Sequence, residues 1–458
     1  MTATSAQEAQ VAEKVERLHN LYEGPHVIAD IVKEGDAAVP ALERLLCGPS
    51  DSLHHSRCWA ADALAAIGSA DAVRALVRSL RDCADRVPNV MCREAEDVVV
   101  STIADHLGQF SDTDVLNALL SALDKRAYPG CARALGRLGN SKAIPPLVRS
   151  LLDDTTRRAA SEALRELGPS TVPQLAALLR GPRLVNGAEP PSYIDGRIAA
   201  ASLIGSLLPH AVGIISDSDR DTARRTLSAA LRDSQRTVRL AAALSLTRCS
   251  QGRALGAVRM LVNALDDPNW RNTTNIMHVL TRLGPQIEEP VLEAIATKGG
   301  TEADLRRQRR AIWIAGQMDS SAAVSSLGSL SSHPNVQIRM AAVRALNNNA
   351  KAGFAALHRY LDDPEAAVRR MTLGMLCQGR AMTIEDTARL LGDPDEEIRR
   401  LATARIGEER GEALPVLGRA VLSLGKPLDR WPARLRLTWY ALRWLAVKNH
   451  RHRTPLQN

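Results

Sequence analysis

The phrase DPEAAVRR occupies residues 363–370, and DPDEEIRR returns at residues 393–400, thirty residues further on. Looser copies precede them, HPNVQIRM at 333–340 and DSQRTVRL at 233–240. In all four an aliphatic residue and an arginine stand at the same two places: Val238–Arg239, Ile338–Arg339, Val368–Arg369 and Ile398–Arg399. Fainter versions are DDPNWRNT (266–273), RRQRRAIWIAG (306–316), DDTTRRAA (153–160), YPGCARALGRLG (128–139) and HHSRCWAADALAAIG (54–68). A chain that repeats itself at a period of roughly 20–50 residues stacks one small unit many times instead of closing a single core.

The chemistry of one unit predicts helices. Asp363 and Asp393 are each followed by proline and an acid. An aspartate caps the orphan N–H groups of a helix start, proline fits the first turn, and acids there suit the dipole. Apolar or small residues then recur at i, i+3, i+4 and i+8: Val238/Ala241/Ala242/Leu246, Ile338/Ala341/Ala342/Leu346, Val368/Met371/Thr372/Leu376 and Ile398/Leu401/Ala402/Ile406. That is one face of a helix, and its alanines allow a neighbouring helix to come close. A second apolar helix ends just before each turn, at Leu231, Leu361 and Leu391. Neither helix of such a pair buries its face alone, so the pairs must stack. Aromatic residues are 3% of the 458, with two Phe, which leaves a core of Leu, Ala, Val and Ile in many thin contacts. The expected fold is all-α, a right-handed α-solenoid of stacked antiparallel helix pairs, about ten to twelve of them.

These turn and helix residues resemble the HEAT-repeat superfamily, and the short period resembles its bacterial HEAT-like branch, named after phycobilin lyases. The resemblance covers residues 35–410. It implies a side-chain ladder between adjacent repeats, built from the turn aspartate and the later arginine. The matching positions are Asp233, Arg239, Asp363, Arg369, Asp393 and Arg399, with His333 departing from the pattern before Arg339. On this reading residues 1–34 form an N-terminal helical cap, 35–410 the solenoid with an insertion loop at 181–196, and 411–458 basic, Trp-rich cap helices with a short tail.

Departures from the repeat are the places to look for function. GPRLVNGAEPPSYIDG at 181–196 reads as an extended loop that includes Tyr193, either a tolerated insertion or a partner contact. Asp217, Asp219 and Asp221 imitate the start of a calcium loop, but Thr222 and Ser228 stand where that loop needs Gly and Glu. Cys47, His54, His55 and Cys58 have the chemistry of zinc ligands, or are surface histidines beside core cysteines. No metal or cofactor is assigned.

Net charge is +8, yet residues 411–458 hold nine Lys and Arg against two acids, so the rest of the chain is nearly neutral. Arg434, Arg436, Trp439, Arg443, Trp444 and Lys448 fall on one expected helix of that tail. It serves as a terminal cap, as a contact for an anionic partner, or as a membrane-surface helix. A second basic run gives Arg306, Arg307, Arg309 and Arg310 beside Trp313, with Glu302 and Asp304 close by.

There is no nucleophile elbow, phosphate loop, zinc-protease signature or dinucleotide fingerprint, and catalysis is not expected. The first expectation is a scaffold that holds a protein or peptide in its concave groove. The alternatives are nucleic-acid binding of the DNA-glycosylase type, with Trp270 beside Asp266 and Asp267 as its nearest echo, and a phycobilin-lyase-like handling of a tetrapyrrole. No apolar run reaches the length of about 18 residues needed to span a bilayer. The seven scattered cysteines suit a reducing, cytoplasmic setting.

Overall fold

The computed structural model describes residues 3–49, 54–86, 92–181, 184–185, 187–249, 254–297 and 299–408. They divide into two compact units, residues 1–257 and 258–458. Among the described residues there is no strand, only an isolated bridge between Val185 and Ala188.

Unit 1 contains α1 (Ala3–Glu16), α2 (Gly24–Val32), α3 (Val39–Leu46), α4 (His54–Ile67), α5 (Ala70–Asp85), α6 (Arg93–Leu107) and α7 (Thr113–Lys125). It continues with α8 (Pro129–Leu138), α9 (Ile144–Ser150), α10 (Arg157–Leu167), α11 (Val172–Leu179), α12 (Pro191–Leu207), α13 (Asp217–Ala230) and α14 (Arg236–Cys249). The boundary between units falls within α15 (Leu255–Asn263). Unit 2 holds α16 (Trp270–Arg282), α17 (Glu288–Ala296), α18 (Glu302–Ala315), α19 (Ser321–Ser329), α20 (Val336–Asn347), α21 (Ala350–Leu357), α22 (Ala366–Gln378), α23 (Ile384–Leu390) and α24 (Glu396–Glu408).

Within each unit the order is that of a solenoid. First helices pack on the next first helix, as α3 on α5, α5 on α7, α11 on α13 and, in unit 2, α17 on α19 and α19 on α21. Second helices pack on the next second helix, as α4 on α6, α6 on α8, α8 on α10, α10 on α12, α12 on α14, and again α18 on α20, α20 on α22, α22 on α24. Each pair thus buries its apolar faces against its own partner and against both neighbours. Glycine permits the tightest of these approaches. A Cβ on Gly136 of α8 would lie 2.7 Å from the Cα of Ala163 on α10, and one on Gly316, just past α18, would lie 2.8 Å from that of Ala345 on α20.

Two details of the repeat differ from the sequence expectation. Asp363 and Asp393 do not cap a helix: α22 begins at Ala366, and Asp363 sits three residues earlier in extended backbone. Its Oδ1 accepts from the N–H of Glu365 at 2.9 Å, closing a tight turn around Pro364, and Asp393 does the same with Asp395 at 2.8 Å. Asp side chains favour such turns. Second, the i+3 positions face outward in unit 2. Ala341 and Met371 are half-buried and Leu401 is exposed, whereas Ile338, Arg339, Ala342 and Val343 are buried. A second helix packs on three sides, so its buried arc is wide and displaced toward the i+1 and i+5 positions.

The 181–196 segment is shorter as a loop than its composition suggests. Pro191 occupies the first turn of α12, a place where its missing N–H costs nothing. Tyr193 is therefore helical and half-buried. Glu189, from the loop, is buried and pairs with Arg197 at 2.9 Å. The acids at 217–221 open α13: Asp217 pairs with Arg220, Asp221 with Arg224, and the Ser216 side chain caps the helix.

Candidate interaction surface

Which arginines are available to a partner depends on which are consumed by the fold. Arg339 and Arg369 each make the same set of bonds. The Arg339 Nε and Nη2 donate to Asp363 at 2.7 and 3.0 Å, and Nη1 donates to the carbonyls of His333 and Pro334 at 2.8 and 3.2 Å. The Arg369 Nε and Nη2 donate to Asp393, both at 2.8 Å, and Nη1 to the carbonyls of Asp363 and Pro364. Each arginine thus holds the turn of its own repeat and grips the aspartate of the next, a bidentate pairing that suits the guanidinium fork. The carboxylate hydrogen bonds push both guanidinium pKa values above the ordinary arginine value.

Elsewhere the rung is rebuilt from other residues. Arg239 and Arg399 donate to the carbonyls of their own turns, at Asp233 and Asp393. The carboxylate of Asp233 is held by Arg197 instead, which is 1% exposed and also grips Glu189. In α4, Arg57 donates to the Leu46 carbonyl at 2.9 Å and pairs with Glu96 of α6. In α18 the place is taken by Gln308, which is buried and donates to the Ile295 carbonyl at 2.7 Å.

The basic run of α18 separates into two sets. Arg310 donates to the carbonyls of Leu265 and Asp267, both at 2.6 Å, and Arg306 to that of Asp266 at 3.1 Å. Burial, with the charge of Arg306 beside it, lowers the Arg310 pKa. These two residues tie α18 to the preceding turn. Arg307 pairs with Asp304 at 2.5 Å and Arg309 with Glu302 at 3.3 Å. Trp313 lies on the outward face of α18 and is 43% exposed.

That outward face continues across the second helices of unit 2. On α20 it presents Arg344 and the half-buried Met340, on α22 Arg370 with the half-buried Met371 and Met375, and on α24 Arg400 and Leu401, which is 37% exposed. Thirty-residue spacing places Arg370 and Arg400, and Met371 and Leu401, at matching positions of successive helices. Arg370 lies 3.7 Å from Asp395, and Arg400 pairs with Glu397 at 2.6 Å. The result is a surface of interleaved cations and large apolar side chains, of which the sequence patterns singled out Trp313 but not the residues of α20, α22 and α24. Arg434, Arg436, Trp439, Arg443, Trp444 and Lys448 lie outside the described residues, as does the Trp270 side chain.

Among the described residues no group of three His, Cys, Asp or Glu side chains is placed to hold a metal ion. Cys47 donates to Ser79 and burial raises its thiol pKa, Cys58 accepts from Thr102, and the His54 and His55 rings stack 4.3 Å apart. No described helix is long and apolar enough to cross a membrane.

Comparison with known proteins agrees with this geometry. A family model of HEAT repeats matches residues 89–168, and the PBS lyase HEAT-like repeat matches residues 56–82. Both stretches are HEAT-like repeats. A phycocyanobilin lyase subunit alpha from Picosynechococcus sp. is 34% identical over 21% of this chain and 46% of its own length. The chain thus spans about half of that curated relative. Among solved structures, the HEAT-like array resembles a chain from the complex of Kap95p with RanGDP, with a TM-score of 0.52 and 13% identity over 97% of this chain and 67% of that one. Kap121p bound to Pho4p aligns with a TM-score of 0.41 and 13% identity, over 91% of this chain and 55% of that one. At this identity the likeness to the Kap95p complex speaks for the α-solenoid fold alone.

Proposed function

We propose that this HEAT-like protein is a non-catalytic scaffold that binds an acidic, amphipathic segment of a partner protein on the second helices of unit 2. The observation that carries this reading is the outward face running from Trp313 through Arg344 and Arg370 to Arg400 and Leu401. Exposed tryptophan and arginine are the residue types that anchor protein interfaces, and the cations select a partner of opposite charge. The complex of Kap95p with RanGDP, one chain of which shares this fold, is a protein–protein complex.

The test is a selection of displayed peptides on the full-length protein, repeated with Trp313→Ala and with Arg344→Glu/Arg370→Glu. Enrichment of acidic, amphipathic sequences is expected. Trp313→Ala should weaken the winning peptides by about 2 kcal/mol, near thirtyfold, and charge reversal should abolish the acidic preference. Enrichment that survives both changes sinks the proposal.

The nucleic-acid reading has less behind it, because Arg306 and Arg310 are spent on holding the preceding turn. Anisotropy of labelled single- and double-stranded DNA at two salt concentrations separates the two readings, since phosphate binding falls steeply with salt. The lyase relative supports a tetrapyrrole reading only through its repeats. A coloured ligand retained on purification would favour it.

A further inference from the structure

Clefts lie between the carboxyl-terminal ends of successive first helices at α7–α9, α15–α17 and α11–α13. Between α7 and α9 the cleft is about 220 Å³, and its Arg149 pairs with Asp124 at 2.7 Å. Between α15 and α17 it is again about 220 Å³, and Arg259 lies 3.1 and 3.0 Å from Glu289 and Glu293. In both, the arginine is neutralised by an acid across the gap.

The cleft between α11 and α13 departs from this pattern in size and in charge. Its volume is about 660 Å³, three times that of the others, and its lining includes Arg180, Arg225 and Arg232 together with Thr222, Asp233 and Ser234. All three arginines are exposed. Arg225 makes only long contacts, to the Asp221 carbonyl at 3.4 Å and the Thr222 hydroxyl at 3.3 Å. Asp233 is the one acid of the lining, and its carboxylate is already held by Arg197. Adding the buried Glu189 that shares Arg197, four arginines face two carboxylates. Like charges gathered in one cleft repel one another unless a counter-charge enters. Cations do favour helix carboxyl ends, but that preference is met by a side chain in solvent and does not explain why three converge on an enlarged cleft. Ser234 adds a hydroxyl two residues before the amino end of α14, where backbone N–H groups begin.

We infer that the α11–α13 cleft is a binding site for a small polyanion carrying two or more oxyanion groups, of the phosphate or carboxylate type. Arg180, Arg225 and Arg232 would donate charge-assisted hydrogen bonds to those oxygens, with the Ser234 hydroxyl as a further donor. The site lies in unit 1 and is independent of the peptide surface proposed on unit 2.

The experiment is calorimetric titration of the full-length protein with inorganic pyrophosphate, citrate and a short single-stranded oligonucleotide at fixed ionic strength. One pyrophosphate or citrate per chain is expected. The relative affinity of the two distinguishes a phosphate ligand from a carboxylate one. Arg225→Glu, and separately Arg180→Ala/Arg232→Ala, should weaken binding by about tenfold or more, the loss of at least one charge-assisted hydrogen bond. Arg149→Glu, in the neutralised α7–α9 cleft, should leave it unchanged, with circular dichroism verifying that each variant is folded. The inference is overturned if neither small anion binds at millimolar concentration, if only the oligonucleotide binds, or if Arg225→Glu and Arg149→Glu have equal effects.

Discussion

Arg369→Ala tests the ladder where its geometry is most complete. The substitution removes two charged hydrogen bonds to Asp393, both 2.8 Å, and two to the carbonyls of Asp363 and Pro364 at 2.7 and 3.2 Å. It leaves the Asp393 side chain, 5% exposed, with the Asp395 N–H as its remaining donor. Breaking a buried ion pair from one side costs about 3–5 kcal/mol. The surviving hydrogen bond returns about 1 kcal/mol of that, so a loss near 3 kcal/mol is expected. Because solenoid stability is a sum over neighbouring repeats, the loss should appear as an earlier-unfolding phase. Urea unfolding followed by far-ultraviolet circular dichroism, for the wild type, Arg369→Ala, Asp393→Ala and the double variant, isolates the rung. A coupling of at least about 1.5 kcal/mol is expected. A coupling below about 0.5 kcal/mol, the range of independent sites, would refute the claim that the two side chains act together.

Two further perturbations probe packing and charge. Gly136→Ala should destabilise by about 1–3 kcal/mol through overpacking against Ala163, although alanine is the better helix former by about 1 kcal/mol. Gly374→Ala, whose Cβ would meet nothing within 4 Å, should instead be neutral or stabilising, and melting temperatures that move together would contradict the close-approach argument. Asp386 is nearly buried beside Thr383, Arg389 and His358. Burial alone would raise its pKa, but the hydrogen bonds from Thr383 and Arg389 and the charge of His358 outweigh it and hold the carboxyl below its ordinary value. Its contribution is therefore complete above the unfolded carboxylate pKa of about 4 and is lost as pH falls through the lower folded value. Asp386→Asn should cost stability at pH 6 and progressively less below pH 4, measured by urea midpoint against pH, and a pH-independent difference would count against this assignment.

The repeat was legible wherever two constraints fell on one short phrase. At Arg339, Asp363, Arg369 and Asp393 the turn and the rung both leave marks in sequence, and the helix pairs follow from them. Legibility failed where another residue met the same constraint. Gln308 supplies an N–H to the Ile295 carbonyl as an arginine would, but no charge marks it. Arg57 takes its acid from Glu96 on the next second helix instead of from a turn, so no local spacing reveals the pair. Pro190 and Pro191 read as loop, yet Pro191 is a helix opener, and Tyr193 moved with it. The outward face of unit 2 was hidden because Met340, Met371 and Leu401 look like core residues at helical spacing. Only the packing of each second helix on both flanks shows which of its apolar positions are left outside.

The direction of the ladder also bears on how such a chain can change length. At the Asp363 turn the aspartate answers the arginine behind it, while the arginine that follows holds that same turn and answers the aspartate ahead. Excising residues 364–393 would join Asp363 to Pro394, leave the Arg339 rung whole, and put Arg399 in the place of Arg369. In this stretch, gene duplication or loss in steps of thirty codons therefore preserves the rungs on either side of the junction. A protein held together in this way can be lengthened or shortened during descent without redesigning what remains.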